Sequence, residues 1–443
     1  MEGSIALCRS LAMVVMVILP ALSAASAMNL QALIAGWLLT RGRRTITNMI
    51  RAAGLGHLKN YSTFYRLLSK AMWSVEEVQR LWAVFLVKRF YPRGVIPLVG
   101  DDSLLKHRGP KLYGAGIYRD AVRSGRRHSV FHWGHNWVVL ALPVSFPLWP
   151  HRFFSLPIAC RLRIKGQPQT AVDLMVELLK MLCLWFPQRK FEFCGDGGFS
   201  SVVEREPEET TVISRIRCDA EVFEIPSPSR PHQMGRRRVR GPKIPGGPRQ
   251  IAQDPGSRWK RTRLWMYGQP RQIQYCSRVV IWTRTRRKPV RVVIVSDAKQ
   301  RNGYDYLLCT NPQLHPRTII QHYARRYTIE RTFEDTKQFL GLEQPQVRTP
   351  ASVLRAAPLG LLLYGMIVYW YAQTHRQARS TVPDPWYRTK PHESFQDMLS
   401  DARVATWRES SFFASDHPVD TNKILGPLWA VLSEPVKELS LER

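Results

Sequence analysis

The sequence predicts a mixed α/β fold with helical ends, and three patterns predict it. Short apolar runs that stop at acidic or glycine-rich breaks, at 95–100, 190–194 and 304–309, read as buried strands. Longer stretches with a 3.6-residue period, at 171–186 and about 318–340, read as helices. Within 271–296, aromatic or β-branched residues alternate with arginine, as in a twisted ribbon with a basic face. These patterns divide the chain into a helical region 1–92, a first core segment 93–225, a basic β-rich insertion 226–300, a second core segment 301–375 and a helical region 376–443.

Charge sets the partner class. The 443 residues carry 65 Lys and Arg against 34 Asp and Glu, a net +31. One small acidic substrate does not need so wide a positive field, whereas a polyanion does. Residues 230–291 hold 18 of the basic side chains and one acid, Asp254. That stretch would repel itself without an anionic partner, and nucleic acid is the expected one. Arg284, Arg286, Arg287 and Lys288 place four cations within five positions of it. Seven widely spaced cysteines with no Cys-x-x-Cys pair argue against a disulfide framework and a zinc finger.

Taken in chain order, the first element is ambiguous. Residues 11–40 carry no charge, and the run 11–22 followed by Ser23-Ala24-Ala25-Ser26-Ala27 resembles a secretory segment with its cleavage site. The preceding Glu2 and the single Arg9 argue instead for a packed N-terminal helix. Residues 44–53 and 61–71 read as two helices around Gly54-Leu55-Gly56, the outline of a helix-turn-helix or of an ordinary helical hairpin. The strand 95–100 delivers Asp101-Asp102-Ser103, and the strand 190–194 delivers Asp196. A second apolar run, 356–372, is at the short limit for a bilayer span and equally suits a core helix.

Three acids stand at informative places: Asp102, with Asp101 beside it, Asp196, and Glu330 on the helix after the last strand. Carboxylates at strand ends can converge at one edge of a sheet and bind hard divalent cations. Around Glu330, the residues Tyr323, Arg326, Glu330 and Lys337 are offset by 0, 3, 7 and 14. At 100° per residue they fall within a stripe of about 60°. A carboxylate with two cations and a tyrosine makes poor core and a good phosphate-facing surface. Ile329 and Phe333 mark another face for burial.

The pattern Tyr-x2-Arg-x3-Glu-x6-Lys resembles the signature of one branch of DDE-type bacterial insertion-sequence transposases. The surrounding QHYARRYTIERTFEDTKQFLGLEQPQVRT, the LVGDDSLLKHRG at the first acid and the LLTRGRRTITNMIRAAG near the N-terminus are similar to that family as well. The resemblance covers roughly 30–375. It implies an RNase H-like catalytic core interrupted by the basic insertion, with Asp102, Asp196 and Glu330 as catalytic ligands of two Mg²⁺ or Mn²⁺ ions. Asp102 is preferred because the family's first acid precedes Thr or Ser. Tyr323, Arg326 and Lys337 would position DNA phosphates. The implied reaction is hydrolysis at transposon ends, followed by attack of the freed 3′ hydroxyls on target DNA. The implied partners are double-stranded terminal inverted repeats and target DNA, bound by a dimer in a synaptic complex, in the bacterial cytoplasm and with no membrane. The competing readings are a degenerate or domesticated copy that binds DNA without mobilising it, a non-catalytic nucleic-acid-binding protein, and an exported or membrane protein.

Overall fold

A computed structural model of the chain describes residues 6–56, 59–109, 111–120, 123–125, 127–227, 238–285, 288–297, 303–375 and 392–412. Five helices come first: α1 (Arg9–Met16), α2 (Ala24–Leu39), α3 (Ile46–Ala52), α4 (Ser62–Ser69) and α5 (Val75–Phe90). The uncharged N-terminal run is packed: Leu11, Val15 and Ile18 are fully buried in the main apolar core. Ser23, in the stretch that resembled a cleavage site, caps α2 by accepting from the Ser26 amide. In α5 the Ser74 cap, Glu76 and Glu77 in the first turn, and Lys88 and Arg89 in the last, all complement the helix dipole. Helices α3 and α4 flank the Gly54 turn, where the left-handed φ of 67° suits glycine. Phe64, Leu67 and Leu68 anchor α4, leaving Tyr61, Tyr65, Arg66 and Lys70 exposed.

The strands are β1 (Ile96–Lys106), β2 (Gly116–Arg119), β3 (Phe131–Phe146) and β4 (Trp149–Arg163), then α6 (Ala171–Trp185), β5 (Phe191–Gly195), β6 (Thr210–Arg215) and β7 (Val222–Phe223). After α7 (Pro248–Gln253) come β8 (Lys260–Met266), β9 (Gln269–Trp282), β10 (Pro289–Asp297) and β11 (Tyr304–Cys309). Three helices complete the described chain: α8 (Pro316–Phe339), α9 (Pro350–Thr374) and α10 (Phe395–Phe412). Among the described residues the strands form one 11-stranded mixed sheet in the order β2-β3-β1-β5-β6-β11-β10-β9-β7, with β4 on β3 and β8 on β9. The β1–β5 and β5–β6 pairs are parallel, which sets the ends of β1 and β5 side by side.

The basic stretch is β-rich as expected, yet it does not stand apart. Its strands β9 and β10 extend the same sheet through the β10–β11 pairing. The reason is that both faces of these strands are apolar: Val280, Val292 and Ile294 join one core, Ile273, Val293 and Val295 the other. Helix α9 is long and apolar enough to cross a membrane by length and composition, and most of it is buried inside the fold. Its Pro350 sits in the first turn behind a Thr349 cap, where a missing amide costs nothing.

Candidate active site

Residue alternation along β1 decides the site. Val99 and Leu105 belong to the core under α8, whereas Leu98 belongs to the core on the other side of the sheet. Successive strand side chains point to opposite faces, so Asp101 faces α8 and Asp102 faces away. The contacts agree. Asp101 Oδ2 accepts from Arg326 Nη1 at 2.9 Å, and Arg326 Nη2 donates to Glu330 Oε1 at 2.6 Å. Asp102 Oδ2 accepts instead from Asn136 Nδ2 of β3 at 2.8 Å. Two glycines keep the strand ends close. A Cβ at Gly100 would lie 2.5 Å from Met175 of α6, and one at Gly198 would lie 3.1 Å from Asp196 Oδ1.

Asp196 follows β5 as the cap of a 3₁₀ turn, Gly197–Glu204, and its Oδ1 accepts from the amides of Gly198 and Phe199. The glycines after Asp196 give its carboxylate room to take these bonds. Burial, with repulsion from Asp196 and Asp102 and partial relief from Arg326, pushes the Asp101 carboxyl up to about 7. Burial also raises Asp102, opposed by the bond from Asn136 and reinforced by Asp196. Three acids therefore share one field at the end of β1 and β5, and Glu330 is tied in through Arg326. Burial works against the Arg326 charge, but Tyr323, Asp101 and Glu330 outweigh it and hold the guanidinium protonated.

Along the helix stripe, Arg326 and Lys337 reach β1 and Glu330 stays 44% exposed beside Arg326. Tyr323 is 6% exposed, with its ring between the guanidinium carbons of Arg215 at 5.6 Å and Arg326 at 5.7 Å. Lys337 Nζ donates to the Leu104 carbonyl of β1 at 2.8 Å, and burial lowers its pKa. Ile329 and Phe333 are buried, as their spacing predicts. Of the basic cluster, Arg284 donates to Ser201 at 2.7 Å and lies 3.5 Å from Glu204, on the turn that begins at Asp196. Lys288 closes the same tip, its amide bonded to the Thr285 carbonyl. Arg286 and Arg287 lie outside the described residues. Asn136 and Arg215 are the members that sequence reading missed, and Asp101 was named there only as the neighbour of the preferred Asp102. The run 95–100 is apolar on both faces, so it gives no phase for the acids that follow.

The acids offer the oxygen donors that a hard divalent cation takes, and beside Asp102, on the face of β1 away from Asp101, Asn136 Oδ1 is buried with no hydrogen-bond partner among the described residues. Among the described residues, no three Asp, Glu, His or Cys side chains stand close enough to enclose an ion as they are. Arg326 holds the gap between Asp101 and Glu330.

These carboxylates gather where β1 and β5 end side by side, inside the sheet. The chain belongs to the DDE superfamily endonucleases, whose family profile matches residues 18–274, more than half of its length. The match takes in Asp101, Asp102 and Asp196 and stops before Glu330. No curated protein matches the chain. Among solved structures, the cryo-EM structure of a piggyBac transposase synaptic complex with hairpin DNA is a distant likeness. It has 10% identity and a TM-score of 0.39, and the alignment covers 93% of this chain and 76% of that one.

Proposed function

We propose that the chain is a DNA transposase that cleaves transposon ends by metal-dependent hydrolysis and joins the 3′ hydroxyls to target DNA. The observation that carries this reading is the Arg326 tie between Asp101 and Glu330, beside Asp196, in a chain of the DDE superfamily endonucleases. The catalytic ligands are Asp101, Asp196 and Glu330, with Asp102 as a neighbour held by Asn136. An RNase H-like core would comprise β1 and β3–β6 with α8, and β7–β10 would be its basic insertion. The protein would act as a dimer on double-stranded DNA, in the bacterial cytoplasm.

Two Mg²⁺ or Mn²⁺ ions, when bound, would supply activation of the attacking oxygen and stabilisation of the leaving one. The side chains supply the rest. Asp101, Asp196 and Glu330 would hold the ions, Asp101 and Glu330 once freed of the arginine they share. Arg326, released from them, stays charged and is held by the Tyr323 ring within reach of a phosphate. Lys337 fixes β1 against α8, so that the acids keep their register. The basic tip at Arg284 sits on the turn after Asp196, where it can grip backbone phosphates.

A transposase-derived DNA-binding protein without mobilising activity has one observation in its favour: the ligating side chains do not stand together as they are. One experiment separates the two. Purified protein is incubated with Mg²⁺ and a duplex built from the imperfect repeats flanking the gene. End cleavage that disappears in Asp101→Asn supports the transposase; DNA binding with no cleavage under any divalent ion supports the other reading.

A further inference from the structure

Beyond the C-terminal end of α8, where the α2–α3 connection meets α10, two arginines are buried together. Arg44, in that connection, is 6% exposed, and Arg403 of α10 is 8% exposed. The Arg44 amide donates to Gln344 Oε1 at 2.9 Å. Its stem runs past Gly341, where an added Cβ would lie 2.8 Å from Arg44 Cδ, so the glycine leaves the arginine room. Arg44 Nε has no hydrogen-bond partner among the described residues. Arg403 Nε donates to the Leu38 carbonyl, in the last turn of α2, at 2.5 Å.

Burial pushes Arg44 down to about 10 and Arg403 down to about 9, and repulsion from Arg44 and the exposed Arg41 adds to the effect at Arg403. Among the described residues, no carboxylate relieves either guanidinium. The acids nearest to them in the sequence are committed elsewhere. Asp401 faces His375 at 3.3 Å, Asp397 Oδ2 accepts from the Ser394 amide at 2.7 Å, and Glu343 Oε1 accepts from the Lys106 amide at 2.8 Å. A carbonyl at a helix C-terminus offsets only part of one positive charge. A charge inside a protein is normally paired and hydrogen-bonded, because leaving it unmatched is costly. Here two of like sign lie close enough to repel.

Guanidinium forks bind oxyanions through paired N–H donors, and one doubly charged oxyanion would offset both arginines at once. We infer that Arg44 and Arg403, with Arg41 at the rim, form a binding site for a free phosphate-like dianion that ties the α2–α3 connection to α10. Neither buried guanidinium is open enough for the backbone of a duplex, so a small ion is the occupant that fits. The inference does not need the carboxylate site or the transposase reading, and its test is run without divalent ions so that the two fail separately.

Inorganic phosphate is titrated into the full chain in chelator, against sodium chloride of equal ionic strength, with calorimetry for binding and urea unfolding for stability. The expected result is saturable binding, with a rise in the urea midpoint that follows the same saturation. Arg44→Lys and Arg403→Lys keep the charge and lose the fork, and each should weaken binding about tenfold or more. Arg44→Met should gain nothing from phosphate. Without phosphate it should unfold at the same urea concentration as the wild type or a higher one, because it removes an unmatched charge. Asp101→Asn should bind phosphate like the wild type. An equal gain in wild type and Arg44→Met would reduce the effect to general salt exclusion and overturn the site. Absence of saturable binding would overturn it too, as would an Arg44→Met chain destabilised equally with and without phosphate. Displacement of bound phosphate by duplex DNA would overturn the free ion as the occupant.

Discussion

Helix α8 turns Arg326 and Lys337 toward β1, with the exposed Glu330 beside Arg326, and turns Arg325 and Arg331 toward the start of β4 and the β8–β9 turn, and the two faces dispose of charge differently. Toward β1 both cations are already matched by protein oxygen: Arg326 by Asp101 and Glu330, Lys337 by the Leu104 carbonyl. On the other face, Arg325 lies 4.2 Å over the Phe153 ring and Arg331 pairs with the exposed Glu334 at 2.7 Å. A face whose cations are matched by buried partners couples folding to whatever displaces them, and a face whose cations rest on a ring or an exposed partner does so far less. Substitutions on the first should therefore move stability and catalysis together, and substitutions on the second should move stability little.

The largest effect should come from exchanging the two adjacent acids. Asp101→Asn should lower Mg²⁺-dependent end cleavage by on the order of 1,000-fold or more, the loss of several kcal/mol of transition-state stabilisation. Asp102→Asn, as a neighbour fixed by Asn136, should cost only about 10–100-fold. Gel assays on pre-formed ends check both, and a larger loss in Asp102→Asn would reverse the assignment.

Arg326→Ala comes next. An isolated i,i+4 ion pair on a surface is worth only about 0.3–0.5 kcal/mol. Arg326 is 13% exposed and serves two carboxylates, so its loss should destabilise the metal-free chain by roughly 2 kcal/mol in denaturant titration. Cleavage should fall about 100-fold as the scissile phosphate loses its anchor. A stable but inactive variant would make Arg326 a phosphate clamp only; an unstable but active one would make it a structural pair only.

The pH dependence sharpens the same face. Asp101 sits at about 7 in the folded chain, above the ordinary value of about 3.9. The folded state then holds this proton more tightly than the unfolded one. The stability this group contributes is fully present below about pH 4 and is lost as pH rises through about 7. Metal-free Asp101→Asn should accordingly match the wild type near pH 4 and exceed it by up to about 4 kcal/mol at pH 8, measured by urea unfolding. The smallest effects should be Lys337→Ala, about 1 kcal/mol for one lost hydrogen bond, and Arg325→Gln, within about 0.5 kcal/mol.

Much of this was legible in the residues. The period-3.6 stripe of Tyr323, Arg326, Glu330 and Lys337 lies on one side of α8, because helical spacing needs no knowledge of the rest of the fold. The strands carrying the acids were visible as apolar runs. Their phase was not, since a strand buried on both faces has no polar alternation from which to read it. That Arg326 and Lys337 of the stripe bond to β1 while Tyr323 lies beside Arg215 of β6 and Glu330 stays exposed was not legible, because the partner of a helix face is a tertiary fact. The basic stretch read as a separate unit from its composition, while the period-2 apolar residues within it joined the main sheet. The Arg44 and Arg403 site was beyond reach because the α2–α3 connection and α10 are brought together only by the fold.

The central claim is that Asp101, and not Asp102, shares a metal site with Asp196 and Glu330. Mn²⁺ binding followed by electron paramagnetic resonance on four single variants tests it most directly. The account predicts that Asp101→Asn, Asp196→Asn and Glu330→Gln each weaken Mn²⁺ binding severely, while Asp102→Asn binds within a few fold of the wild type. Severe loss in Asp102→Asn with binding retained in Asp101→Asn would contradict it.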